Sequence, residues 1–270
     1  MNHVTHVYRR AAAAALVAGF ACALALIASP SRAQVAPNTP PGVDHYLVYP
    51  VIQPPTVSIP VILGDQFIPT ANYVTSSLLY FLTPVSKNGE PIVNPDLHYT
   101  WWKVNSYQFQ ATCLISNQFS PAQPFNVGAS EFLMNPALKN VQSGAPIPVA
   151  NHYVVYDAAS PPANVPVQLI DQFGAFAAIA LDARFLAAPA FKIFNGVNEP
   201  IVDPVPHMAI YVLQPQSPPP PVPITCLAFD EFGPWPLQLA APALLAVPSY
   251  KTNVVDTKHS TWGQIKSLYR

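Results

Sequence analysis

The chain has 270 residues, 51% of them apolar and only 9% charged, with 12 basic against 13 acidic side chains. An apolar content of that size can offset the chain entropy lost on folding, which excludes a disordered protein despite 34 prolines. The near balance of charge leaves no basic surface to collect phosphates, which excludes nucleic acid as an expected partner.

The first predicted element is a leader. A head ending in Arg9 and Arg10 precedes an apolar run from Ala11 to Ser29 and then Ser31-Arg32-Ala33, with small residues at the two positions a signal peptidase reads. This predicts a secretory signal peptide over residues 1–33, cut after Ala33 and leaving no stable membrane span, with the protein secreted or periplasmic. An uncleaved anchor is the other reading of such a run, but the alanine-rich core and the cleavage site favour removal. Cys22 is no lipidation signal, because Gly19 rather than Leu stands three residues before it.

Beyond the leader the chain repeats itself. Phased histidines stand at His45, His98, His152 and His207, each with an aromatic residue four positions on: Tyr49, Trp102, Tyr156 and Tyr211. A second landmark follows as Asp65-Gln66-Phe67, Asn117-Gln118-Phe119, Asp171-Gln172-Phe173 and Asp230-Glu231-Phe232. A third is a proline three residues before a lysine, at Lys87, Lys139, Lys192 and Lys251. Three landmarks recurring in order define four repeats, 44–97, 98–149, 150–206 and 207–251. Copies one and three open alike, and the joins Glu90-Pro91-Ile92-Val93-Asn94-Pro95 and Glu199-Pro200-Ile201-Val202-Asp203-Pro204 nearly match, an ABAB pattern. It predicts two tandem domains, 44–149 and 150–251, each an internal duplication.

Within a repeat the period is that of strands. Val57, Ile59, Val61 and Leu63 alternate with other residues, as do Val165, Val167 and Leu169. Frequent prolines disfavour long helices. The alanine-rich stretch Phe176 to Leu186 corresponds to Asn72 to Leu82, richer in β-branched and aromatic residues, so both are assigned to strands. The expected fold is all-β, as two sandwich- or barrel-like domains, with a four-bladed propeller as the alternative. The insertion from Gln214 to Pro223, with four consecutive prolines, is expected as an exposed polyproline II stretch. A tail, 252–270, follows the last landmark. Cys113 and Cys226, the only cysteines past the leader, face the core side of alternating strands and are expected as two separate buried thiols, a disulfide being the alternative.

These landmarks resemble a family of secreted bacterial repeat domains of unknown function, in which a His-x-x-Cys-Tyr strand alternates with an Asp-Gln-Phe turn and a Leu-Cys-x-Pro-x-x-Lys segment. The resemblance spans most of residues 44 to 251. The chain departs from it at every cysteine: Val48, Trp101, Val155 and Ile210 replace the first, and Leu82, Met134, Ala187 and Ala246 the second. Apolar replacement of both members in all four copies implies that these positions are buried neighbours. The family implies export and fold, and no chemistry.

No catalytic motif emerges: there is no Gly-x-Ser-x-Gly elbow, no His-Glu-x-x-His and no glycine-rich phosphate loop. The phased histidines lack neighbouring ligands of the His-x-His kind, so no metal or other cofactor is expected, and the repeated residues read as structural: His45, His98, His152 and His207; Phe67, Phe119, Phe173 and Phe232; Lys87, Lys139, Lys192 and Lys251. The expected function is a non-catalytic exported scaffold or binding protein, its partner a protein or glycan at the cell surface. The alternative is a secreted polymer-degrading hydrolase, which would need acids such as Asp44, Asp65 and Asp96 to converge.

Overall fold

The structure is a computed structural model that describes residues 39–141 and 145–255, with side chains to residue 252. The leader 1–33 and the tail beyond residue 255 lie outside the described residues. Among the described residues all fourteen regular elements are strands, and no helix is long and apolar enough to cross a membrane.

Eight strands follow one another in a circuit. They are β1 (His45–Pro50), β3 (Ala71–Lys87), β4 (His98–Val104), β6 (Ser120–Lys139), β7 (His152–Ala159), β9 (Gly174–Phe194), β11 (His207–Pro215) and β14 (Leu244–Val255). Each pairs antiparallel with the next in that order, and β14 pairs back onto β1. The register is the same in every copy: His45 faces Val85, His98 faces Ala137, His152 faces Ala190 and His207 faces Ser249, always two residues before the repeat's lysine.

Four further strands, β2 (Pro60–Gly64), β5 (Ala111–Asn117), β8 (Val165–Asp171) and β12 (Ile224–Asp230), lie outside this ring. Each pairs on one side with the strand that follows it in its own repeat, which for β12 is β13 (Gly233–Leu239). On the other side it pairs with the end of the long strand two repeats away: β2 with β9, β5 with β14, β8 with β3 and β12 with β6. The short β10 (Val197–Glu199) folds back on β9. One sheet of fourteen strands results.

The all-β expectation therefore holds, while two details change. Residues 44–149 and 150–251 do not each close a sheet of their own, because six of the pairings just given cross between them, counting β1 with β14 and β6 with β7. The physical reason is that each long strand is too long for one partner set: its middle completes the ring and its end reaches an outer strand of another copy. A four-bladed propeller, with one sheet per repeat, is excluded by the same pairings.

Strand alternation fills both sides of the ring. The inner face takes two residues from most ring strands, such as Tyr46 and Val48 or Tyr153 and Val155, into one buried cluster. Here lie the positions that replace the family cysteines, and they are cross-strand partners: Val48 with Leu82, Trp101 with Met134, Val155 with Ala187 and Ile210 with Ala246. Small residues in two copies make room for Trp101 and its stacked neighbour Phe132. The outer face, with Leu47, Tyr49, Phe81 and Leu133, packs against Val61, Cys113, Val167 and Cys226 of the outer strands. Both cysteines are free and buried, and burial raises each thiol to about 11. The insertion in repeat four is only partly exposed. Gln216 and Ser217 donate their N–H groups to the Ala177 carbonyl, and Pro220 is buried, its ring lying where a side chain on Gly174 would point. It covers the start of β9, whose edge is otherwise open.

Candidate functional site

The repeated residues assemble into four corners at one end of the ring. Each histidine begins a ring strand, and its repeat's lysine lies two residues past the register partner. The Gln-Phe of the next copy arrives on the turn after an outer strand, and the fourth corner takes it from the first copy. Thus Gln118 meets His45, Gln172 meets His98 at 2.9 Å and Gln66 meets His207. The lysines stand over the phenylalanines: Lys87 over Phe119 (5.7 Å to the ring centre), Lys139 over Phe173 (5.2 Å), Lys192 over Phe232 (5.8 Å) and Lys251 over Phe67 (5.5 Å). All twelve landmark residues thus take part in these corners.

The hydrogen bonds set the tautomers. Nδ1–H of His98 donates to the Asp96 carbonyl and Nδ1–H of His207 to the Val205 carbonyl, both at 3.0 Å, so Nε2 accepts from the glutamine amide. Burial holds these imidazoles neutral, lowering His45 to about 3 and His98 and His207 to about 4.

The first residue of the turn motif ties more distant copies. Asp65 accepts N–H bonds from Phe67 and Ile68 in its own turn and the Tyr156 hydroxyl at 2.7 Å. Asp171 accepts the hydroxyls of Tyr49 (2.7 Å) and Thr83 (2.6 Å), and Asp230 accepts Thr100 (2.6 Å) and the indole N–H of Trp102 (2.8 Å). Asn117 donates to the Tyr211 hydroxyl at 3.0 Å. The aromatic residues four after each histidine are therefore the polar partners of a turn two copies away. Burial still raises Asp65 to about 6 and raises Asp230, against these bonds.

One corner departs from the others. Glu231 stands where the other copies have glutamine, and Glu199 comes in on the β9–β10 hairpin opposite Lys192. The fully buried Lys192 ammonium bonds both, at 3.0 Å to Glu199, and lies 3.3 Å from Nε2 of His152. Glu199 is 2.5 Å from that nitrogen, while Nδ1 is 3.1 Å from Oδ1 of the buried Asn135, whose amide nitrogen has no partner among the described residues. The His152 bond holds Glu199 down at about 2; burial lowers Lys192 to about 8 and lowers His152. Ligand atoms of His152, Glu199 and Glu231 lie within 4.8 Å of one another, a spacing a metal ion could bridge. The Lys192 ammonium already supplies the positive charge between the carboxylates. The first corner has a lighter version, with Glu90 bonded to Lys87 at 3.0 Å.

Asp44, Asp65 and Asp96 do not converge. Asp44 accepts the N–H groups of Val93 and Asn94, Asp65 belongs with Gln66 beside His207, and Asp96 serves His98. The glutamines, Glu90, Glu199 and Asn135 went unrecognised as corner residues. The signal for the odd corner was present in the motif itself, as the one copy in which Gln becomes Glu.

No curated protein and no solved structure matches the chain. A family model described as a repeat of unknown function (DUF7450) matches residues 98–248, which is more than half of the chain and takes in its second and third copies and the fourth up to its final proline. The chain therefore belongs to that family of repeats of unknown function.

Proposed function

We propose that this is an exported, non-catalytic repeat protein, secreted or periplasmic, that serves as a rigid scaffold for binding a partner at the cell surface. The observation that carries this reading is that the residues a catalyst would need are engaged in joining copies. Histidine, glutamine, lysine and phenylalanine make the four corners, and the turn acids hold aromatic hydroxyls and indoles across the ring. The odd corner supports it as well: with both carboxylates bonded to one buried ammonium, and Glu199 ionised far below neutral pH, neither is poised as a general acid. Among the described residues the exposed large apolar side chains are aliphatic, which favours a protein partner over a glycan stacked on aromatic faces. Export rests on the leader.

The test is a panel of polysaccharide and peptidoglycan substrates given to the protein and to its Glu199→Gln and Glu231→Gln variants. The scaffold reading expects no turnover by any of them. Turnover lost in both variants while their folds persist would replace it with the hydrolase reading. Mass measurement of the exported protein, expected to begin at Gln34, tests the leader separately.

A further inference from the structure

The odd corner places an amine and two carboxylates in contact away from water. The Lys192 side chain is 0% exposed, and its ammonium bonds Glu231, 16% exposed, and Glu199. It lies over the Phe232 ring, which is flanked by Trp102 at 5.6 Å and Phe194 at 5.1 Å between ring centres. Aromatic walls and no solvent make separated charges costly here. The other lysine–glutamate pairs differ. Lys87 bonds Glu90, its neighbour three residues on in the same copy, and Lys103, bonded to Glu131, is 36% exposed. Lys192 joins a carboxylate of another copy and has a second carboxylate beside it.

Both reacting groups are held in place. Lys192 sits in the middle of paired strands, opposite Leu63 of β2 and Glu199 of β10. Glu231 follows Asp230, which anchors the turn by accepting the N–H of Phe232 at 2.9 Å and the side chains of Thr100 and Trp102. Groups fixed in contact react as though at an effective concentration on the order of 10⁵ M or more. Glu199 touches the amine and is itself held by Nε2 of His152 at 2.5 Å, so a proton leaving the amine has an acceptor and a relay.

We propose that Lys192 and Glu231 condense into an intramolecular isopeptide bond, with Glu199 as the base, tying copies three and four covalently. The electron pair on Nζ attacks Cδ of Glu231; a C–N bond forms and a C–O bond breaks. One of the three ammonium hydrogens stays on the amide nitrogen. The other two pass by way of Glu199 to the displaced oxygen and leave with it as water. Ammonium and carboxylate become a neutral amide and neutral water, so atoms and charge balance without an outside reactant. The product removes a buried ion pair, and its amide N–H keeps Glu199 as acceptor. This modification goes beyond the scaffold reading and stands without it.

Trypsin digestion of the denatured full protein, followed by mass spectrometry, tests it. Trypsin cuts after Arg184, Lys192 and Lys251, and no other lysine or arginine lies between Arg184 and Lys251. An acylated Lys192 is not cut. The wild-type protein is therefore expected to yield one peptide, 185–251, lighter than its sequence mass by one water, with fragmentation placing the bond at Glu231. Glu231→Ala should release 185–192 and 193–251 separately at full mass. Glu199→Gln should do the same, because losing the base slows the step on the order of 10²–10⁴-fold. Separate full-mass peptides from the wild-type protein overturn the proposal, and that result depends on no variant folding. A bond located at Glu199, or one formed as completely in Glu199→Gln, overturns it as well.

Discussion

Acid should loosen this fold well above the pH at which carboxylates usually titrate, because His45, His98 and His207 are buried neutral. Their folded pKa values, about 3, 4 and 4, lie below the ordinary 6.5, so the stability they contribute is complete above 6.5 and is lost as pH falls through 4. Asp65 runs the other way. Its folded value near 6 lies above the ordinary 3.8, so its contribution is present at low pH and lost as pH rises through 6. At pH 5 the unfolded chain thus holds almost three more protons on the histidines and almost one fewer on Asp65, a net uptake of about two on unfolding. His152 and Asp230 are shifted in opposite senses, the first lowered and the second raised by burial, so their contributions to the slope have opposite signs. Two protons correspond to a fall of about 2.5 kcal/mol per pH unit, or about 4 kcal/mol between pH 6 and 4.5. Urea unfolding at half-unit steps from pH 7 to 4.5 measures it, and His98→Gln should reduce the slope by about 1.2 kcal/mol per unit. Stability that is flat from pH 7 to 5, or a slope unchanged in His98→Gln, would refute the reasoning by showing that the folded corners hold charged imidazoles.

Three other outcomes follow from single contacts. Asp171→Ala leaves the buried hydroxyls of Tyr49 and Thr83 without an acceptor and should cost about 3 kcal/mol in urea unfolding, against about 1 kcal/mol for Tyr49→Phe. Gly64→Ala would put a Cβ 2.1 Å from the Pro69 carbonyl oxygen and 2.3 Å from the Phe191 ring, so the melting temperature should fall by the equivalent of about 2 kcal/mol or more. Because β2, β5, β8 and β12 each need a long strand from the other half, a fragment of residues 39–149 should show no cooperative urea transition, and one with a sharp midpoint would contradict the interleaved sheet.

Much of this architecture was legible. Alternation marked the strands, since a period of two survives in Val165, Val167 and Leu169 whatever they pair with. The positions that replace the family cysteines were legible as neighbours, because two residues that can share a disulfide must face each other across a pair of strands, as Val48 and Leu82 do. The partner of each outer strand was not. Self-similarity shows which residues are equivalent but not which copy an equivalent residue touches, and the ABAB pattern fits both two self-contained halves and two halves that exchange strand ends. Nor was the glutamine of the turn motif legible as a ligand of histidine. The two residues are 73, 74 and 141 positions apart, and only the closed circuit brings them together.

The ties explain why the landmarks recur as a set. A corner joins each copy to the next, the last to the first, and an Asp or Asn turn joins each copy to the one two away, so every copy is bonded to the other three. Each landmark is then half of a tie whose other half sits in a different copy, and a change in one copy leaves a buried polar group unpaired in another. Residues held by that constraint have little freedom to acquire a ligand. The freedom lies where the copies differ: the linkers with their pinned valines, the insertion laid over the start of β9, and position 231, where one carboxylate was admitted because a buried lysine was already there to neutralise it. The symmetric residues close the ring, and freedom to vary without unpairing another copy is left to the unsymmetric ones.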